Sequence, residues 1–200
     1  GKKAIESSDI ESKDIGCLIS ASVCRDFLEP STASIVHNRL ELPEESFVFD
    51  VSNACLGVLN GMCIVANMID QGTIKAGLIV SGENGGPLVN NTIENLLSRS
   101  DITRNNIKSS FASLTIGSAS VGVLLTHKDI SQNKHRLLGG FSIAETKFNH
   151  LCRGNLNAGS QAAPLMETDS EKLMLEGCRL AGRTWNRTRE LLGWLNGDVN

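Results

Sequence analysis

Two hundred residues suffice for one substantial core or two small ones, and 40% hydrophobic with 20% charged residues is an ordinary globular composition. The net charge is −3 and no lysine or arginine run occurs, which argues against a nucleic-acid partner. No apolar stretch reaches membrane-spanning length, and the N-terminal GKKAIESSDIE lacks a signal-peptide pattern, so no membrane span is expected.

In chain order, Lys3-Ala4-Ile5 reads as the middle of a helix, so the chain begins like a piece of something longer. Asp14 to Val23 is a near-continuous apolar strand, and Cys24 to Pro30 a loop. Ser31-Thr32 can cap the helix that follows, which runs to about Leu40 with Ile35, Val36 and Leu40 inward. Phe47 to Val51 reads as a buried strand that breaks at Ser52-Asn53-Ala54. A helical pattern then opens, with Leu56, Leu59, Ile64, Val65 and Met68 as its apolar positions and Gln71-Gly72 as its close. Lys75 to Gly82 is another buried strand. Alternating helices and uniformly apolar strands predict an α/β fold around a parallel or mixed sheet.

The glycine-rich stretch Glu83 to Pro87 has no Walker or GxGxxG pattern around it and is expected to be a structural turn rather than a phosphate cradle. Leu88 to Leu97 is expected to be helical, and Val121 to Thr126 a strand. Residues 128–135 are loop-like, and Arg136 to Thr146 reads as a further strand that opens an antiparallel pair. Residues 147–169 have few apolar anchors and are expected to form a long functional loop. Ser170 to Leu192 is the last helix, capped by Asp169 or Ser170; the end at Asp198-Val199-Asn200 reads as a loop leading to a strand.

Six cysteines, at 17, 24, 55, 63, 152 and 178, form no CxxC pair, and no histidine sits at a zinc spacing. No metal is expected, and reduced thiols in a cytoplasmic protein are the economical reading. Cys55 falls where a strand turns into a helix. The first helical N–H groups lack partners and the helix dipole adds partial positive charge, which favours the reactive thiolate. Gly57 permits close approach of another group to the backbone, and Ala54 keeps the approach open. Against this stands the common case of a free cysteine acting as a small buried hydrophobe.

The runs DIGCLISAS, EPSTASIVHNRLEL, FDVSNACLGVLNGMCIVANMI and AGLIVSGE resemble the thiolase superfamily, most closely its ketoacyl synthase III branch. The motif Asp50-x-x-x-Ala54-Cys55-x-Gly57 matches that branch's nucleophile motif. Within the branch, Glu29-Pro30-Ser31-Thr32-Ala33, Leu114-Thr115-Ile116-Gly117-Ser118 and His150-x-Cys152-Arg153-Gly154 resemble the olefin-biosynthesis condensing enzymes (OleA type), which join two long-chain acyl-CoA molecules into a β-keto acid. The chain departs from ketoacyl synthase III at 117–120, where Gly-Ser-Ala-Ser replaces Gly-Asp-Gly-Ala.

The resemblance implies a thiolase-like layered α/β/α fold, of which the chain holds mostly the N-terminal half of a duplicated whole. Residues 1–130 would be that half without its first strand and helix, and 131–200 a linking region and the start of the second half. The family's catalytic histidine and asparagine belong to the second half; His37, His127, His135 and His150 match neither motif, and the histidine is expected soon after Asn200. The implied catalytic residues are Cys55, which carries the acyl group, and Glu29, a general base if partial burial raises its pKa. Without the resemblance, Glu29 reads as a solvated loop residue. Acyl-CoA or an acyl carrier protein is implied as substrate, with no cofactor, and a homodimer in which Glu29 enters the partner's site. Two other functions remain open at this point: a decarboxylating 3-oxoacyl-ACP synthase III, and an inactive truncated homologue kept as a binding partner.

Overall fold

The computed structural model describes residues 1–132, 134–154, 165–195 and 197–198. They divide into two units, one of Gly1–Asn84 with Gly117–His135, the other of Gly85–Ile116 with the described residues from Arg136 on. The last residues of the expected C-terminal loop and the middle of the expected 147–169 loop lie outside the described residues.

The first unit is built on strand β1 (Ile15–Ser20), whose Ile15, Cys17, Leu18 and Ile19 are fully buried. It pairs in parallel with β2 (Phe47–Asp50) on one side and β3 (Ala76–Glu83) on the other. Strand β4 (Ala119–Thr126) closes the sheet antiparallel to β3, so the order is β2-β1-β3-β4 and the sheet is mixed. One face packs Leu18, Leu78 and Val80 against Ala4 and Ile5 of the short helix α1 (Lys2–Glu6) and Val36 and Leu40 of α2 (Thr32–Leu40). The other packs Ile19, Ile79 and Ala21 against Val65 and Ile69 of α3 (Gly57–Asp70). This is the α/β/α layering that strands apolar on both faces require.

Local signals set the helix ends. Ser31 caps α2, its side chain accepting the Ser34 N–H at 3.1 Å. Gly72, at φ 72°, turns the chain out of α3. Two readings are corrected by tertiary packing. Strand β2 lies at the sheet edge and is not buried; Phe47 is half exposed. In α3 the buried positions are Gly57, Gly61, Val65 and Ile69, while Leu56, just before the helix, and Leu59 within it are exposed. The inward face is decided by where backbone must approach the sheet. A Cβ on Gly61 would stand 3.0 Å from Ile79, and one on Gly77 of β3 2.6 Å from Val65.

The second unit contains α4 (Gly86–Ser98), α5 (Phe111–Thr115), a two-stranded antiparallel ribbon of β5 (Cys152–Gly154) and β6 (Met166–Thr168), and α6 (Ser170–Leu192). Ser113 of α5 is fully buried and its hydroxyl donates to the Met166 carbonyl at 2.9 Å. Asp169 caps α6 by accepting the Lys172 N–H at 3.0 Å. The strand expected over Arg136 to Thr146 is absent: no residue there pairs in a sheet, and Gly139 sits at φ 124°. Alternating apolar residues form a strand only where another strand offers its N–H and C=O groups. The segment instead lies against α6, where the Thr188 hydroxyl accepts the Phe141 N–H at 3.2 Å and the Arg187 guanidinium sits 5.1 Å from the Phe141 ring. Glu83 to Pro87 is split between the end of β3 and the first turn of α4. No helix among the described residues is long and apolar enough to cross a membrane.

Candidate functional site

Cys55 occupies a single 3-10 turn, Ala54–Leu56, between the end of β2 and the first residue of α3. The turn is sharp. Ala54 adopts φ 40°, a left-handed conformation that a residue with a Cβ rarely takes. The Leu56 N–H closes the turn on the Asn53 carbonyl at 2.9 Å, and the Asn53 side-chain amide donates to Asn60 Oδ1 at 2.6 Å. The result is a cysteine held exposed at the tip of the junction, not buried as a small hydrophobe. All six cysteines are free thiols, and Cys17, the fully buried one, has its pKa pushed up to about 11 by desolvation.

Gly57 fixes how closely this junction sits on the sheet. A Cβ there would lie 2.8 Å from the Ala21 carbonyl oxygen and 3.3 Å from the Ala21 Cβ. The first turn of α3 therefore rests directly on the chain leaving β1, and that chain runs on into the loop holding Glu29.

Glu29 lies in that loop, exposed, with Phe27 and Leu28 before it also more than half exposed. The partial burial that a general base asks for is not supplied by the described residues of this chain. No hydrogen bond or ion pair among the described residues joins Glu29 to Cys55. The loop does carry two anchors that sequence reasoning missed. At its start, Glu83 accepts the backbone N–H groups of Val23 at 2.7 Å and Cys24 at 3.0 Å. At its end, Asp50 accepts those of Thr32 at 3.1 Å and Ala33 at 2.8 Å. Asp50 was visible as the first residue of the nucleophile motif. What it binds was not, because its partners lie 17 and 18 positions away.

The cysteine beside Glu83 is not poised to react. Burial, followed by the hydrogen bond and charge of Glu83, raises the Cys24 pKa, and the Asn84 N–H bonding to its sulfur only partly opposes this. Two shallow clefts of the first unit, about 350 and 210 Å³, hold neither Cys55 nor Glu29. His37 donates from Nε2 to the Pro43 carbonyl at 3.0 Å, and His127 Nδ1 lies 3.4 Å from Asp129. In the second unit, Cys152 and Arg153 are exposed on β5, and the Cys152 sulfur accepts the Thr168 hydroxyl at 3.4 Å.

Comparison with known proteins gives a consistent result. Residues 49–138 match the family of 3-oxoacyl-(acyl-carrier-protein) synthase III. An acyl-CoA:acyl-CoA alkyltransferase of Xanthomonas campestris pv. campestris is 37% identical over 193 residues, covering 96% of this chain and 55% of that protein. One from Shewanella oneidensis is 37% identical over 203 residues, covering 99% and 58%. A solved cysteine-to-serine variant of Xanthomonas campestris OleA, with bound lauric acid and lauroyl-CoA, superposes with a TM-score of 0.86 at 36% identity, covering 97% of this chain and 55% of that one. Other solved variants of that protein are altered at a glutamate 26 positions before that cysteine, and at a histidine. The chain spans about half the length of the relatives it matches.

Proposed function

We propose that this chain, which has a thiolase-like α/β fold, belongs to the 3-oxoacyl-(acyl-carrier-protein) synthase III branch of the thiolase superfamily, and that the intact protein is an acyltransferase joining two fatty acyl-CoA molecules by Claisen condensation. The observation that carries this reading over its relatives in the branch is Glu29, placed 26 positions before Cys55, the separation at which the OleA variants are altered. The exposed, sharply turned position of Cys55 supports its role as nucleophile.

In the proposed reaction the Cys55 thiolate attacks the carbonyl of the first acyl-CoA. A carbon–sulfur bond forms to Sγ and the CoA thiolate leaves. The Cys55 backbone N–H supplies one donor to the oxyanion of that step. The Glu29 carboxylate then takes an α-proton from the second acyl-CoA. The resulting carbanion attacks the acyl-cysteine carbonyl, a carbon–carbon bond forms, and the Cys55 thiolate is released. Water cleaves the remaining CoA thioester, which yields the β-keto acid. Acyl-CoA is a substrate here, and no cofactor or metal has a part.

The proposal extends to assembly and location. The intact protein is a cytoplasmic homodimer with residues 50–54 and 83–90 near the two-fold interface, and Glu29 reaches the partner's Cys55. Residues 1–130 form the N-terminal thiolase-like half and 131–200 lead into the second. A sedimentation run showing a monomer at micromolar concentration would refute the dimer. The alternative, a decarboxylating synthase III, has the family match over residues 49–138 in its favour.

One pair of variants separates the two. In the intact protein Cys55→Ala abolishes acylation by a long-chain acyl-CoA, read by mass spectrometry of the labelled peptide. Glu29→Gln keeps size and hydrogen bonding but loses basicity, so acylation survives while condensation falls by roughly 10²–10⁴-fold. Mixed Cys55→Ala and Glu29→Gln subunits regain activity, because one hybrid site holds both groups. Acylation at Cys63 or Cys178 in place of Cys55 would remove the nucleophile assignment. Condensation untouched by Glu29→Gln would favour the decarboxylating reading.

A further inference from the structure

Two carboxylates that take no part in the proposed chemistry hold the segment carrying Glu29. The segment leaves the end of β1 at Ala21 and enters α2 at Thr32. Glu83, the last residue of β3, grips its start: Oε1 accepts the Val23 N–H at 2.7 Å and Oε2 the Cys24 N–H at 3.0 Å. Asp50, the last residue of β2, grips its end: Oδ2 accepts the Thr32 N–H at 3.1 Å and Oδ1 the Ala33 N–H at 2.8 Å. Ser22 adds a third tie, its hydroxyl accepting the Gly82 N–H at 2.8 Å. Arg25, inside the segment, sits 3.9 Å from Asp50 Oδ2. Both carboxylates therefore spend each oxygen on a separate backbone N–H, the stronger, charge-assisted kind of hydrogen bond.

Between the two grips the segment has little packing of its own. Phe27 is 55% and Leu28 66% exposed, and Glu29 is exposed beside them. A stretch without buried apolar anchors is placed by its ends. We propose that Glu83 and Asp50 are positioning residues that fix where Glu29 lies for the second half of the reaction. The inference rests on the proposed function for what Glu29 does, and adds what puts it there. It also gives the aspartate of the nucleophile motif a task. Asp50 ties the strand leading to Cys55 to the helix following Glu29, so one carboxylate sets the relation between the two loops.

The test uses the intact protein with lauroyl-CoA as probe, in Glu83→Ala, Asp50→Ala, Glu29→Gln and the double variant Glu83→Ala/Glu29→Gln. Acylation of Cys55 and steady-state condensation are measured separately, with melting curves on each. Misplacement by about 1 Å costs on the order of 10²-fold, so condensation kcat in Glu83→Ala falls by roughly 10–100-fold with KM little changed. Acylation stays within about threefold, because the first half-reaction does not use Glu29. In the Glu29→Gln background the same change adds less than about threefold, since residues that act through one another are not additive. Glu83→Gln keeps one acceptor oxygen and recovers part of the loss, and it carries the test if an alanine variant does not fold.

In Glu83→Ala, acylation and condensation falling together, or full multiplication of the Glu29→Gln defect, would overturn the positioning role while leaving the function reading intact. Asp50→Ala, which also frees the strand leading to Cys55, lowers both half-reactions, and unchanged condensation there would overturn the role of Asp50. A normal Glu29→Gln enzyme would overturn both.

Discussion

Substituting Gly57 tests whether the cysteine junction is held by close backbone contact. A Cβ at this position would meet the Ala21 carbonyl oxygen at 2.8 Å and the Ala21 Cβ at 3.3 Å. Ordinary carbon–oxygen contacts begin near ~3.3 Å, so the backbones must part by about half an ångström. The oxygen has little room to retreat. The Ala21 N–H is bonded to the Val80 carbonyl at 2.8 Å, and the adjacent Ser20 carbonyl accepts the Val51 N–H at 2.8 Å. The first turn of α3 must yield instead. Two effects compete. Alanine is the better helix former by about 1 kcal/mol, while overpacking against fixed backbone costs about 1–3 kcal/mol. The pinned oxygen puts the cost at the upper end, so Gly57→Ala is expected to lose about 1–2 kcal/mol. At roughly 2–4 °C per kcal/mol for a chain of this size, the melting point falls by about 2–8 °C. Because Cys55 lies two residues earlier, its acylation in the proposed mechanism slows by roughly 10–100-fold. Gly82→Ala is the control, since a Cβ there meets nothing within 4 Å. A Gly57→Ala protein that melts at or above the wild-type temperature and acylates normally would refute the close-contact argument.

Leu18, fully buried on the central strand, should lose about 2–5 kcal/mol on change to alanine, read by chemical denaturation; a loss below 1 kcal/mol would mean that β1 is not the core strand. Ser31→Ala removes the side-chain acceptor of the Ser34 N–H and should lower stability by about 1 kcal/mol, with Ser31→Asp restoring it. Burial pushes the Cys17 thiol from its ordinary 9.0 to about 11, so above pH 9 the folded state keeps a proton that the unfolded chain releases. Stability should therefore be flat with respect to this group below pH 9 and fall as pH rises to 11, by up to roughly 2–3 kcal/mol. An undiminished alkaline slope in Cys17→Ala would show that another group is responsible.

What could be read from the sequence is what neighbours along the chain decide. Helix α2 begins after Ser31 and α6 after Asp169 because each cap bonds an N–H three residues on, a contact any fold would keep. The exit from α3 at Gly72 follows from a left-handed turn that glycine adopts freely. The cysteine junction was visible for the same reason, as an apolar strand, a break and a helical period in succession.

Contacts between distant segments decided the rest. Arg136 to Thr146 has strand-like composition yet forms no strand, and among the described residues no strand pairs with it. Period alone marked Leu59 and Val65 alike as apolar positions of α3, but only Val65 is buried, because the side that meets the sheet is the one carrying Gly57 and Gly61. Glu83 read as part of a turn and Asp50 as one letter of a motif. Both are anchors for a loop up to 60 positions away, which only the packing of three strands side by side brings to their carboxylates. The chain alone determines which residues can cap, turn or bury; which backbone N–H a carboxylate meets depends on what the sheet places opposite it.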